Sequence, residues 1–201
     1  MNVVGACPAH IRDSDGTPDA GTGRDAGHDT MIGMTSFEQV ATSLWHPEID
    51  RLRLPPLTDE QVVHAQKQLG VDLPADLIHL LRTQNGGVIA ETWDACPADA
   101  NFYAEDHVPF DHLHGIGPAD HARMTTMLDS PYLVQEWELP SPVVLLSGQG
   151  HYWVALDYRK CGPTGEPSVV WLDNEMDHEL PLAPDFRTFV ERLTSSASFP
   201  E

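Results

Sequence analysis

Basic residues are what this chain has least of. Eleven Lys and Arg stand against 31 Asp and Glu, a formal net charge of −20 with the histidines neutral. Nucleic acid is a poor partner for such a chain, because binding it depends on neutralising phosphates with Lys and Arg. Cysteine is scarce as well: Cys7, Cys96 and Cys161 are odd in number, scattered and without CxxC spacing, which argues for free thiols and against a disulfide framework or a structural zinc site. No apolar run reaches the length of about 18 residues that a membrane span requires, and no basic segment followed by a hydrophobic one opens the chain. Neither a span nor a secretory signal is predicted, and the expected location is cytoplasmic. Large apolar residues are few over 1–33, too few to offset the entropy of ordering, so this stretch is read as a disordered tail and 34–201 as a single domain.

What is present is organised around LPADLIHLLRTQNGG, residues 73–87. Pro74 suits a first helical turn, and Leu77, Leu80 and Leu81 recur at i, i+3 and i+4 to make one apolar face. Asn85-Gly86-Gly87 supplies residues that tolerate the left-handed conformation closing a helix. Upstream, Thr58-Asp59-Glu60-Gln61 has the form of a capping box, with Leu57 and Val62 placed as a hydrophobic staple, and Gly70 ends the helix this predicts. A shorter helix from Ser36 carries Phe37, Val40, Ala41 and Leu44 on one stripe and stops at His46-Pro47.

Beyond Gly87 the period changes. Val88 to Trp93 is predicted as a strand, the His- and Asp-rich segment from Asp94 to His114 as a long surface loop, and Ala119 to Leu128 and Tyr132 to Trp137 as helices. Val143–Leu146, Tyr152–Tyr158 and Ser168–Asp173 are short apolar runs separated by turn residues, the pattern of an antiparallel meander. A last helix places Phe186, Phe189, Val190 and Leu193 at i, i+3, i+4 and i+7 behind a cap at Asp185. The predicted class is α+β, with N-terminal helices and a C-terminal helix packed on a mainly antiparallel sheet.

In order and spacing, LTDEQVVHAQKQLGVDLPADLIHLLRTQNGG, ELPSPVVLLSGQGHYWVALDYR, GEPSVVWLD and APDFRTFVERL resemble the SUKH superfamily, whose founding members are Smi/Knr-type cell-wall regulators of yeast. The resemblance runs from about Leu57 to Leu193 and implies a SUKH-like α+β domain. It also implies a role in binding rather than catalysis, because bacterial members are for the most part similar to immunity proteins that neutralise polymorphic toxins, many of them nucleases. The expected partner is then a basic toxin domain, which the −20 charge would suit. A regulatory scaffold of the same fold is the alternative.

Residue chemistry points the same way. His107, His112, His114 and His121, with Asp106 and Asp111, lack the frame that supplies a third ligand and a base to catalytic zinc, so they are read as surface histidines raised in pKa by neighbouring carboxylates. A metal-dependent hydrolase built on His112 and His114 is the remaining enzymatic reading. Ser147-Gly148-Gln149-Gly150 lies between strands, not between a strand and a helix as a nucleophile elbow requires. No catalytic, cofactor or metal residues are assigned. Trp93, Trp137, Trp153 and Trp171 are read as core or rim aromatics. The candidate partner surface joins two acidic segments, Asp94, Asp99, Glu105, Asp106 and Asp111 in the first and Asp173, Glu175, Asp177 and Glu179 in the second, with Trp93 and Tyr103 as apolar anchors.

Overall fold

A computed structural model describes residues 35–118 and 124–200. The expected tail 1–33, Cys7, His121 and the first half, 119–123, of the predicted 119–128 helix lie outside the described residues.

Local sequence signals set the helical layer. Helix α1 (Phe37–Ser43) opens on a capping box in which the Ser36 hydroxyl accepts from the Gln39 amide and the Gln39 side chain accepts from the Ser36 amide at 2.9 Å. Thr58 and Gln61 repeat the device at the start of α2 (Asp59–Leu69), which Gly70 ends in the left-handed region at φ +72°. Helix α3 (Ala75–Thr83) buries Leu77, Leu80 and Leu81 completely, each burial contributing about 2 kcal/mol. Its ending differs from the expectation. Gln84 leaves the helix extended, and the left-handed residue is Gly86, at φ +79°, where a β-carbon would meet the Gly115 backbone at 2.6 Å. Asn85 caps nothing. Its buried amide donates to the carbonyls of Pro55 (2.9 Å) and Ile116 (2.8 Å) and accepts from the Ile116 amide (2.8 Å), tying three distant segments together.

The predicted strand from Val88 to Trp93 contracts to β1 (Gly87–Val88), after which Ile89 bridges Trp45 and the chain turns, the Trp93 amide donating to the Ala90 carbonyl at 2.8 Å. The predicted surface loop 94–114 is a correction of the opposite kind. It contains β2 (Ala95–Pro97), β3 (His107–Pro109) and β4 (His112–Leu113), with Cys96, Val108, Phe110 and Leu113 in the core. β2 pairs with β3 and β4 with β1, both antiparallel. In strands of two or three residues the alternation of faces has no room to show, and the polar neighbours conceal the buried positions.

After a 3-10 turn at Met127–Asp129, where a helix reaching Leu128 was expected, α4 (Ser130–Glu136) leads into a four-stranded antiparallel meander. Its strands are β5 (Val143–Gly148), β6 (Tyr152–Asp157), β7 (Ser168–Asp173) and β8 (His178–Ala183). The fourth strand, not among those predicted, follows a turn at 174–177 and takes in Glu179. It is an edge strand in which exposed Glu179 and Pro181 alternate with buried Leu180 and Leu182. One face of the sheet carries Val144, Leu146, Val154, Leu156 and Trp171 into the main core with α1, α3 and α5 (Phe186–Glu191), whose cap is Asp185, accepting from Thr188 at 2.7 Å. The other face packs Val143, Leu145, Trp153, Ala155, Val170 and Leu172 under Leu133, Val134 and Leu139. Both faces are covered, which is why β5 and β6 are buried along their whole length. Trp153 and Trp171 belong to the core, Trp93 is half-buried and Trp137 partly exposed. Cys96 is a buried free thiol and Cys161 an exposed one.

The arrangement is the predicted α+β one, helices on a mainly antiparallel sheet. Among the described residues no helix is long and apolar enough to cross a membrane.

Candidate functional site

The end of the sheet formed by the β5–β6 and β7–β8 turns gathers the residues of interest. Tyr152 opens β6 and pairs with Asp173, the last residue of β7. Its ring stacks on that of Trp171, centroids 4.3 Å apart. Onto this pair the loop between β2 and β3 lays Tyr103, edge-on to Tyr152 at 4.7 Å and to Trp171 at 5.8 Å, with Phe102 edge-on to Tyr103 at 6.1 Å. Burial, with Asp111 and Tyr103 nearby, raises the Tyr152 hydroxyl above its ordinary pKa. Phe102, Tyr103 and Met176 leave large apolar surfaces in water, 69%, 51% and 61% exposed. Asp99 and Glu105 flank the aromatic loop, and Glu175, paired with His151 at 2.6 Å, and Asp177 flank Met176.

Other residues of the expected surface are occupied by the scaffold. Trp93 donates its Nε1–H to Ser43 at 3.1 Å, and Asp94 accepts from the Ser196 amide at 2.7 Å and its hydroxyl at 2.9 Å. Asp173 is buried and accepts from the amides of Glu175 and Met176, both at 3.0 Å, shaping the turn rather than presenting a charge. Glu179 lies within β8 and accepts from Arg159, which also holds buried Asp157. Arg159 keeps the Glu179 carboxyl below its ordinary pKa; at Asp157 burial pushes upward but the hydrogen bonds and charge of Arg159 prevail. Asp106 sits 2.9 Å from His107 Nδ1, and the His107 ring stacks on Phe199.

Beside the aromatic end lies a cleft of about 790 Å³ whose walls include Asp50, Arg51, Arg53, Asp111, Thr125 and Gln149. His112, in β4, and His114, just past its end, form its inner wall and are buried, contrary to their expected place on a surface loop. His112 Nδ1 donates to Asp111 at 2.6 Å, and that hydrogen bond leads the lowering of the Asp111 pKa. The Gly148 amide approaches His112 Nε2 at 3.3 Å, and His114 Nδ1 lies 3.4 Å from the Leu145 carbonyl. Burial, then the neighbouring His112, push the His114 pKa down to about 3, the reverse of the expected rise. In a low-dielectric site the cost of desolvating a cation outweighs a carboxylate that already has another partner.

Asp111, His112 and Ser147 are the residue types of a nucleophilic triad, but they are not arranged as one. The Ser147 hydroxyl is 3.5 Å from both ring nitrogens of His112, so it does not lie on the Nε2 lone pair that would take its proton. Sequence reasoning did not find the contribution of Leu145, Gly148, Tyr152 and Trp171 to this end of the molecule. Backbone groups have no residue-type signature, and aromatic residues in strands read as core.

The model of the SMI1 / KNR4 family (SUKH-1) matches residues 56–192, more than half of the chain. The chain belongs to this family. The SUKH-1 match takes in α2 through α5 together with the aromatic end and the cleft wall formed by Asp111, His112, His114 and Gln149, and leaves α1 and the wall residues Asp50, Arg51 and Arg53 outside it. Membership in SUKH-1 supports a protein-binding module of the immunity or regulatory kind, in a family that is generally non-enzymatic. No curated protein and no solved structure matches the chain.

Proposed function

We propose that this SUKH-1 chain is an immunity protein that acts in the cytoplasm by binding and neutralising a cognate toxin domain, a basic nuclease, without performing chemistry on it. The observation that carries this reading is the exposed pair Phe102 and Tyr103, seated on Tyr152 and Trp171 between Asp99 and Glu105 in sequence, at the end of the sheet where the β7–β8 turn exposes Met176 between Glu175 and Asp177. Large apolar side chains on a fixed backing supply binding energy at the centre of an interface, and a rim of one charge speeds encounter with a partner of the other. Tyr103 has the fixed backing, since Tyr152 and Trp171 hold its ring from beneath. A regulatory scaffold of the same fold would use the same surface on a different partner.

Co-expression with the toxin domain encoded beside this gene should rescue growth, and the purified proteins should form a stoichiometric complex. Killing that continues unchanged with every neighbouring toxin domain, while the chain still captures a non-toxin partner through Tyr103, would replace the immunity reading with the regulatory one.

A further inference from the structure

His112 and His114 carry a feature that toxin binding does not use. The His112 Nε2 and His114 Nε2 atoms face each other at 3.2 Å. The contact on the far side of each ring decides where its proton sits. Asp111, a carboxylate at 2.6 Å, requires a proton on His112 Nδ1, and the Leu145 carbonyl oxygen favours one on His114 Nδ1. With both Nδ1 atoms protonated and both rings neutral, two Nε2 lone pairs point into the same space, and lone pairs repel unless something positive lies between them. The Gly148 amide relieves one of them, weakly, at 3.3 Å.

We propose that His112 and His114 form a site for a divalent transition-metal ion of the zinc class, seated between their Nε2 atoms, with its remaining positions open to the cleft. Two imidazole nitrogens bound to one tetrahedral zinc ion at 2.0–2.1 Å lie roughly 3.3–3.4 Å apart, close to the separation found here. The supporting groups are those that orient metal-bound histidines elsewhere: a carboxylate on one Nδ1 and a backbone carbonyl on the other. Imidazole donors select zinc, copper or nickel over magnesium or calcium, which take oxygen ligands. Among the described residues no third His, Cys, Asp or Glu joins the pair, and the ion's remaining positions face the cleft, where water or a donor atom of a bound molecule can reach them. The Gly148 amide gives up its contact with His112 when the ion enters.

The full-length chain, stripped of metal with a chelator, is titrated with zinc chloride while long-range proton–nitrogen NMR spectra follow the imidazole nitrogens. The Nε2 signals of His112 and His114 should move together and saturate together, with the Gly148 amide moving alongside them, and magnesium chloride should move none of the three. If exposed histidines shift while these two stay put, zinc binding is adventitious and the proposal fails. It also fails if either Nε2 stays protonated throughout, because the pair then shares a proton instead. Replacing His114 risks the fold, so the companion variant is Asp111→Ala, whose side chain is about half exposed. It should weaken zinc binding about ten-fold or more with an unchanged circular dichroism spectrum, and unaltered affinity would overturn the assignment. The titration contains no partner protein, so its result stands apart from that of the immunity test.

Discussion

Tyr103 stands edge-on to Tyr152, ring centroids 4.7 Å apart at an interplanar angle of 76°. The contact fastens the loop between β2 and β3 to the end of the large sheet while leaving half of the Tyr103 ring in water. Tyr103→Ala should therefore lower stability by only about 1 kcal/mol, the worth of an aromatic pair with partial burial. Partner affinity should fall about 30-fold, as for a central interface anchor. Denaturation midpoints and calorimetric titration against the partner give the two values, and full affinity in the variant would remove Tyr103 from the interface.

Replacing exposed Asp99, Glu105 and Glu175 with Lys should leave the fold intact and slow association with a basic partner about ten-fold at low salt. The dissociation rate should change much less, and the salt dependence of association should flatten. Stopped-flow measurements across a salt series test this. Association that is equally fast in both proteins would leave the acidity of this end as a matter of solubility.

Asn85→Ala removes three hydrogen bonds at once and strands the Pro55 and Ile116 carbonyls and the Ile116 amide around a buried side chain. The loss should be about 3 kcal/mol, near the upper end for leaving buried polar groups unmade. Urea denaturation reads it directly. A loss under about 1 kcal/mol would mean that water takes over the contacts of the amide.

Arg159 between Asp157 and Glu179 gives the molecule a pH dependence whose sign can be worked out. Both carboxyls titrate below their ordinary values of 3.8 and 4.5 in the folded chain, so their contribution is complete above about pH 4.5 and is lost as the pH falls through the lowered folded values. Arg159→Ala leaves buried Asp157 without its cation, a change expected to cost about 3 kcal/mol at pH 7. Burial then raises the Asp157 pKa in the variant, so protonation relieves the strain, and the stability gap to the unmodified chain should narrow between pH 7 and pH 3. Thermal melts at the two pH values check it, and a constant gap would show that Arg159 acts by packing alone.

Helices α1, α2, α3 and α5 were legible because their signals are local, whereas the described end of the predicted 119–128 helix is a 3-10 turn. Ser36, Thr58, Gly70 and Asp185 each sit at the end they announce, and the leucines of α3 point where their spacing says. The meander was legible in β5, β6 and β7, where runs of apolar residues are long enough to count. Val108, Phe110 and His112 were not, because their burial comes from residues outside their own segment: Val108 pairs with Cys96, His112 with Val88, and the Phe110 ring meets Phe189. Asn85 was assigned to a helix end on residue type, whereas its role depends on Pro55 and Ile116 arriving from either side. The acidic surface was legible in composition but not in detail. Nothing in the sequence distinguishes Glu175, at the rim of the aromatic end, from Glu179, which is taken up by Arg159.

β8 leaves the large sheet with an outer edge, and an unpaired edge is a template on which a second chain can add a strand. Pro181 has no amide hydrogen to offer such a strand, and Glu179 beside it places a carboxylate along the same border. A neighbouring copy approaching edge to edge would meet a gap in the donor row beside the Arg159–Glu179 ion pair. At the high local concentrations of a cell accumulating this chain, the border therefore resists the runaway strand addition that begins fibrils.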